Sequence, residues 1–143
     1  ALYNGFRFGR NLMHLVFRAP DARDFYADWP AVAANSVAGF RLQYGRSPGD
    51  PRLRAVLAEL LGTSADFAEL WSRHDARGKS LELKTFCHPR VGPLTLRAQT
   101  FEVRGGGAQE LVVYRAEPGS PSARALTELA TVDVSRDPGQ RGD

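Results

Sequence analysis

The chain has 143 residues, 43% of them hydrophobic and 24% charged, which suits one globular domain burying roughly 68–70% of its unfolded surface. No apolar run approaches the ~20 residues of a membrane-spanning helix, and the single Cys87 excludes an internal disulfide and any zinc site built on paired cysteines. The net charge of +3 sits in residues 1–60, with 8 Lys+Arg against 5 Asp+Glu, while residues 61–143 balance at 11 against 11. No basic cluster is interleaved with aromatics, so direct nucleic-acid binding finds little support.

The sequence opens on Ala1 with no signal peptide, as expected of a segment cut from a longer protein. Residues 11–17 are apolar nearly all round and predict a buried helix. Pro20 and Asp21 open a segment carrying Phe25, Tyr26 and Trp29. Asp28 is placed to cap a helix with Pro30 in its first turn, where the missing N–H costs nothing. That helix runs through Val37, Phe40 and Tyr44 to Gly45, the expected residue after its end. Asp50-Pro51 repeats the same start, and Val56, Leu57, Leu60 and Leu61 line one face up to Gly62. Ser64 caps a short helix carrying Phe67, Leu70 and Trp71.

The period then changes. Leu81, Leu83 and Thr85 alternate with Glu82, Lys84 and Phe86, which predicts a strand. Residues 89–93 form a turn. Leu94 and Leu96 start a second strand on one parity, Phe101 and Val103 lie on the other, and a bulge near residues 98–100 would reconcile them. Gly105-Gly106-Gly107 is a turn. Residues 111–116 are apolar on both faces, which predicts a central third strand. Ser120 caps a last helix with Leu126 and Leu129 inward, and residues 135–143 form a polar, frayed tail. A further strand is an open alternative around residues 72–79. The pattern is α+β, with helices on one face of a small antiparallel sheet and a C-terminal helix. Three strands under helices leave room for an enclosed apolar cavity.

Catalysis finds little footing. His74 and Asp75 are adjacent, so they do not share a helix face as a base and its orienting acid. Cys87 and His88 point to opposite faces of a strand, and Cys87 reads as a small buried apolar residue. No Gly-x-Ser-x-Gly elbow is present. The spacing of His14, His74 and His88 matches no metal motif. His88, before Pro89, is placed to bond a turn carbonyl. No enzyme activity, cofactor or metal is therefore expected. The aromatics are numerous for so small a sheet, and a dry pocket walled by them suits a long apolar ligand with a polar head.

Several motifs recur in a fixed order: Asn11-Leu12-Met13-His14-Leu15-Val16-Phe17, Asp24-Phe25-Tyr26-Ala27-Asp28-Trp29, Ser64-Ala65-Asp66-Phe67 through Leu70-Trp71, Arg73-His74-Asp75, His88-Pro89-Arg90-Val91-Gly92, Leu111-Val112-Val113-Tyr114 and Ala116-Glu117-Pro118-Gly119-Ser120-Pro121. Together they resemble the C-terminal ligand-binding domain of MmyB-like transcription regulators, common in actinobacteria, over about residues 4–131. The resemblance implies a PAS-like domain over residues 1–134 of a cytoplasmic regulator. A helix-turn-helix domain of the Cro/repressor type would precede it, absent from this chain, and DNA would be contacted only through that domain. The implied ligand is a fatty acid or similar amphiphile, and the implied assembly a homodimer. Ala76 after Arg73-His74-Asp75, the less basic run 76–86, and Phe40-Arg41-Leu42-Gln43 depart from the usual family pattern and bear on ligand identity.

The expected ligand residues are Asn11, Arg23, His74 and His88 at a polar end, with Trp29, Phe40, Trp71, Phe86 and Phe101 as walls. Two readings stay open: an effector sensor, and a dimerisation or protein-interaction module with a filled core and no small ligand.

Overall fold

The computed structural model describes residue 2 and residues 11–73, 83–103 and 110–134. Side-chain caps open five of the helices. Asn11 Oδ1 accepts the Met13 N–H at 2.9 Å and starts α1 (Leu12–Phe17). The short α2 (Ala22–Phe25) follows. Asp28 Oδ1 accepts the Ala31 N–H at 3.1 Å at the head of α3 (Trp29–Arg46), with Pro30 in the first turn. Asp50 does the same for the Arg52 N–H at 2.8 Å, opening α4 (Pro51–Thr63). Ser64 Oγ accepts the Phe67 N–H at 3.2 Å and opens α5 (Ala65–Ser72). Ser120 Oγ takes the Ala123 N–H at 3.1 Å at the start of α6 (Pro121–Val134). Each cap satisfies an amide that the helix itself cannot, a contribution of about 1 kcal/mol.

Two helices overrun the glycines expected to end them. α3 passes Gly45 and closes at Ser47, whose N–H reaches the carbonyls of Gln43 and Tyr44. α4 passes Gly62, and Thr63 Oγ1 bonds back to the Glu59 carbonyl. A glycine ends a helix by turning left-handed, and among the described residues only Gly92 and Gly119 have positive φ. The expected inward face of α4 is also narrower than predicted: Leu60 is fully buried, Leu61 exposed.

Strands β1 (Leu83–His88), β2 (Gly92–Glu102) and β3 (Glu110–Arg115) form an antiparallel sheet in the order β1-β2-β3. Gly92, at φ 73°, lets the chain turn back from β1 into β2. Three expectations are corrected here, and one point that the alternation left open is settled. The buried parity of β1 is the even one: Phe86 is 0% and His88 5% exposed, while Leu83 is 52% exposed. Cys87, on the odd parity, is exposed rather than buried. No bulge interrupts β2, since its register against both neighbours is unbroken from Leu83↔Arg97 to His88↔Gly92 and from Arg97↔Arg115 to Glu102↔Glu110. Leu94 and Leu96 therefore face one way and Phe101 the other. Finally, β2 is the central strand. β3 lies outside it, with Leu111, Val112 and Val113 exposed. Apolarity on both faces reports what a strand is able to bury, and it does not fix the strand's position in the sheet. The outer side of β1 is covered by a bridge between Tyr26 and Phe86 and by the Ala27 N–H, which bonds the Thr85 carbonyl at 3.1 Å. The glycine turn at 105–107, the tail at 135–143 and any strand within 74–82 lie outside the described residues.

The molecule is thus α+β: the described residues form five helices, a three-stranded antiparallel sheet and a C-terminal helix. Among the described residues no helix is long and apolar enough to cross a membrane. The core has two parts. One joins Val16, Ala22, Phe25, Tyr26, Trp29, Val32 and Ala33 to Phe86, Leu94 and Leu96 of the sheet and Leu129 of α6. The Ser122 hydroxyl, which accepts the Thr95 N–H at 3.0 Å, ties the start of α6 to β2. The other joins Met13, Val37, Phe40, Leu60 and Phe67 across α1, α3, α4 and α5.

Phe67 is fully buried and meets Phe17, Phe40 and Trp71. Phe67→Ala is expected to cost about 3–5 kcal/mol of stability, and Leu61→Ala less than about 1 kcal/mol. Urea unfolding followed by circular dichroism measures both.

Candidate ligand-binding cleft

The first half of α3 is committed to the sheet through Trp29, Val32 and Ala33, and the second half to the helical core through Val37 and Phe40. Beyond Leu96, β2 carries small or exposed side chains on its helix-facing parity, Ala98 and Thr100, and Val112 opposite Thr100 on β3 is exposed as well. The two halves therefore diverge. Between them lies a cleft of ≈ 1220 Å³, bounded by the start of α1, the middle of α3, the start of α4 and the far ends of β2 and β3. Its apolar lining includes Leu12, Met13, Phe40, Leu53, Val56 and Val112, and its polar lining Asn35, Ser36, Gln43, Arg46, Arg52 and Lys84. Concave, mostly apolar surface with a few convergent polar groups is the usual form of a small-molecule site. The charged lining is mainly cationic, with Arg46, Arg52, Lys84, Arg97 and Arg115 against Glu110, which favours an anionic or polar head on an apolar body.

Asn11, Phe40 and Phe101 border this cleft. Asn11 uses Oδ1 to cap α1, so its amide nitrogen is the group left to donate to a ligand. Phe40 packs against Tyr44, Phe67 and Trp71 and forms part of the floor. The other expected residues stand elsewhere. Arg23 pairs with Asp66 at 2.8 Å, and its guanidinium lies 3.8 Å from the Trp29 ring centre. The Trp29 indole N–H donates to the Val16 carbonyl at 2.9 Å. Trp71 stacks on Phe67, and its carbonyl accepts from Arg41. Phe86 is enclosed by Phe25, Tyr26 and Tyr114. His74 lies outside the described residues.

His88 is buried at the turn end of β1, its ring 6.2 Å from that of Phe25. Its Nδ1 accepts the Arg90 N–H at 3.2 Å, so the turn offers the imidazole a donor rather than the expected carbonyl, and the ring proton belongs on Nε2. Burial, and secondarily the Arg90 charge, push the His88 pKa below the usual 6.5. His14 Nε2 lies 3.1 Å from a Glu59 oxygen, close enough for an ion pair but poorly aligned for a hydrogen bond. Arg18 pairs with the other oxygen of Glu59. Among the described residues no three metal-ligating side chains converge.

Arg46, Arg52, Ser36, Ala98 and Val112 were not legible as site residues. A signal for part of them exists in α3, where Asn35, Ser36, Gly39 and Gln43 recur at helical spacing as a small, polar stripe. A polar stripe of this kind is also what a solvent-facing side carries, so the pattern by itself does not single out a cleft.

Comparison with known families gives one match: the model described as MmyB-like transcription regulator ligand binding domain matches residues 1–129. No curated protein matches the chain.

The lowered His88 pKa has a stability consequence. The folded state binds this proton less readily than the unfolded chain, so the stabilisation is fully present above the unfolded pKa near 6.5 and is lost as pH falls through the folded value. His88→Gln, which keeps a polar acceptor but does not titrate, is expected to flatten the fall in Tm between about pH 7.5 and 5.5. Thermal melts of both proteins across that range provide the measurement.

Proposed function

We propose, for a chain that belongs to the MmyB-like transcription regulator ligand binding domain family, that the cleft between α3 and the sheet holds the effector. The chain is a ligand-binding regulatory domain, and family membership assigns it to no enzyme class. The finer reading is an amphiphile such as a fatty acid, its chain over Phe40, Leu53 and Val56 and its head toward Arg46, Arg52 or Lys84. The observation that carries it is the open, apolar-floored cleft itself. A protein-interaction module would call for a filled interior at that place.

On this reading the domain is PAS-like and works in the cytoplasm. It controls DNA binding by a helix-turn-helix domain outside this chain, as part of a homodimer. Ligand binding biases two arrangements of the helices, by no more than its difference in affinity for the two. Support for the dimer comes from β3, which among the described residues pairs only with β2.

Native mass spectrometry of protein purified without delipidation is expected to show a bound amphiphile. Added fatty acid at about 100 times its Kd is expected to stabilise the fold by about 2.7 kcal/mol, a rise of several degrees in Tm. Ala98→Trp fills the cleft from the sheet side and is expected to abolish the ligand-induced shift while the protein still melts cooperatively. No bound species and no shift with any amphiphile would leave the interaction-module reading in place.

A further inference from the structure

The cations of the cleft do not converge on one point. Leu96 packs in one cluster with Val32 and Ala33 of the first half of α3, and Lys84 is its register partner on β1. Lys84 shares the helix-facing parity of Phe86, so it enters the cleft where α3 still lies against the sheet. Lys84 is half-buried, with its Nζ 5.7 Å from the centre of the Tyr114 ring, and it pairs with no carboxylate among the described residues. A lysine is rarely withdrawn from water without an anionic partner. Asn35 and Ser36 follow Ala33 along α3 and border the cleft, half-buried as well, and their side chains bond to no other described residue. Arg52 stands at the other end. It lies in the first turn of α4, which a short loop joins to the end of α3 at Arg46, and it has no ion pair among the described residues. Arg46, Arg97 and Glu110 also border the cleft, and each has a partner within the chain. From Ser36 to Arg46 the axis of α3 rises about 15 Å. Between the two ends the lining is apolar, with Met13, Phe40, Leu53 and Val56.

We propose that the effector is acidic at both ends: a long apolar chain with one carboxylate held by Lys84, Asn35 and Ser36 and a second held by Arg52. The proposal rests on the reading that the cleft holds the effector, and it gives the two separated cations one ligand. A fatty acid with a single head fits less well in either direction. Headed at Arg52, it lays its terminal methyl against Lys84 and takes water from a half-buried ammonium with no anion in return. Headed at Lys84, it leaves its methyl beside the exposed guanidinium of Arg52, at the wet end of the cleft. A diacid supplies a charge-assisted hydrogen bond at both places. Distance then sets its length. Two groups on one chain reinforce each other only when the chain spans their sites, and a span of about 15 Å along α3 excludes short diacids. The volume agrees: at ≈ 1220 Å³ the cleft exceeds the ~300–1,000 Å³ of an ordinary small-molecule site.

The test uses the 143-residue chain and isothermal titration calorimetry. The probes are dodecanedioic, tetradecanedioic and hexadecanedioic acids, each against the monoacid of equal length and below the concentration at which it forms micelles. At least one diacid is expected to bind about tenfold or more tightly than its monoacid, while octanedioic acid, too short to span the ends, binds no better than octanoic acid. The preference is expected to be lost in Arg52→Gln and in Lys84→Gln and kept in Lys84→Arg, with circular dichroism checking that each variant is folded. Monoacids that bind as tightly as diacids at every length overturn the proposal and leave a single-headed amphiphile in the cleft. A diacid preference that survives both glutamine variants, or survives Ala98→Trp, overturns it by placing the ligand elsewhere. If neither class binds, the amphiphile reading of the cleft fails and the proposal fails with it.

Discussion

Both halves of the core close on Phe17. Its ring meets Trp29 edge-on at 6.1 Å on the sheet side and Phe67 edge-on at 5.3 Å on the helical side. One residue earlier, the Val16 carbonyl accepts the Trp29 indole N–H. α1 has six residues, far too few to be stable as an isolated helix. Its position is set by this wedge, by the Asn11 cap and by Glu59, which lies against both His14 and Arg18. With α1 fixed there, α3 cannot lie along one surface for its whole length. It serves the sheet first and the helical core afterwards.

The cleft follows from that division. Where α3 leaves the sheet, the far ends of β2 and β3 lose their covering layer, and the lining becomes small, polar or cationic rather than close-packed. The histidines that first suggest chemistry are absorbed elsewhere. His88 is held neutral in an apolar corner with Nδ1 engaged by a turn amide. His14 is part of the contact between α1 and α4. Their surroundings stabilise the frame around the cleft instead of converging on a substrate.

What was legible in the sequence was local. The caps at Asp28, Asp50, Ser64 and Ser120 depend on a few residues each, and all four form the expected bonds; the Asn11 cap was not read from the sequence. The α+β order and the family were legible too, because motif order is a property of the chain. Quantities that need a neighbour were harder. Which parity of β1 is buried depends on Tyr26 pairing with Phe86, a contact between distant residues. The position of β3 depends on what lies beside it, and its apolar sequence is equally compatible with a centre or an edge. Aromatic content pointed to a pocket but not to which rings would line it: Phe40 and Phe101 border the cleft, while Trp29 and Phe86 complete the core. The cationic rim, Arg46 and Arg52, comes from a loop-flanking helix end and a helix start whose convergence no spacing rule encodes.

The bridge from Tyr26 and Ala27 to β1 also limits assembly. An antiparallel sheet with two open edges has two points of attachment, and copies joining edge to edge can add indefinitely, the geometry of fibres. Here one edge is already taken by the chain itself. Among the described residues the sheet has a valence of one for strand addition. Any association through β3 uses the whole of that valence, so edge pairing ends at two molecules and the same sequence that exposes Leu111, Val112 and Val113 is protected from open-ended growth.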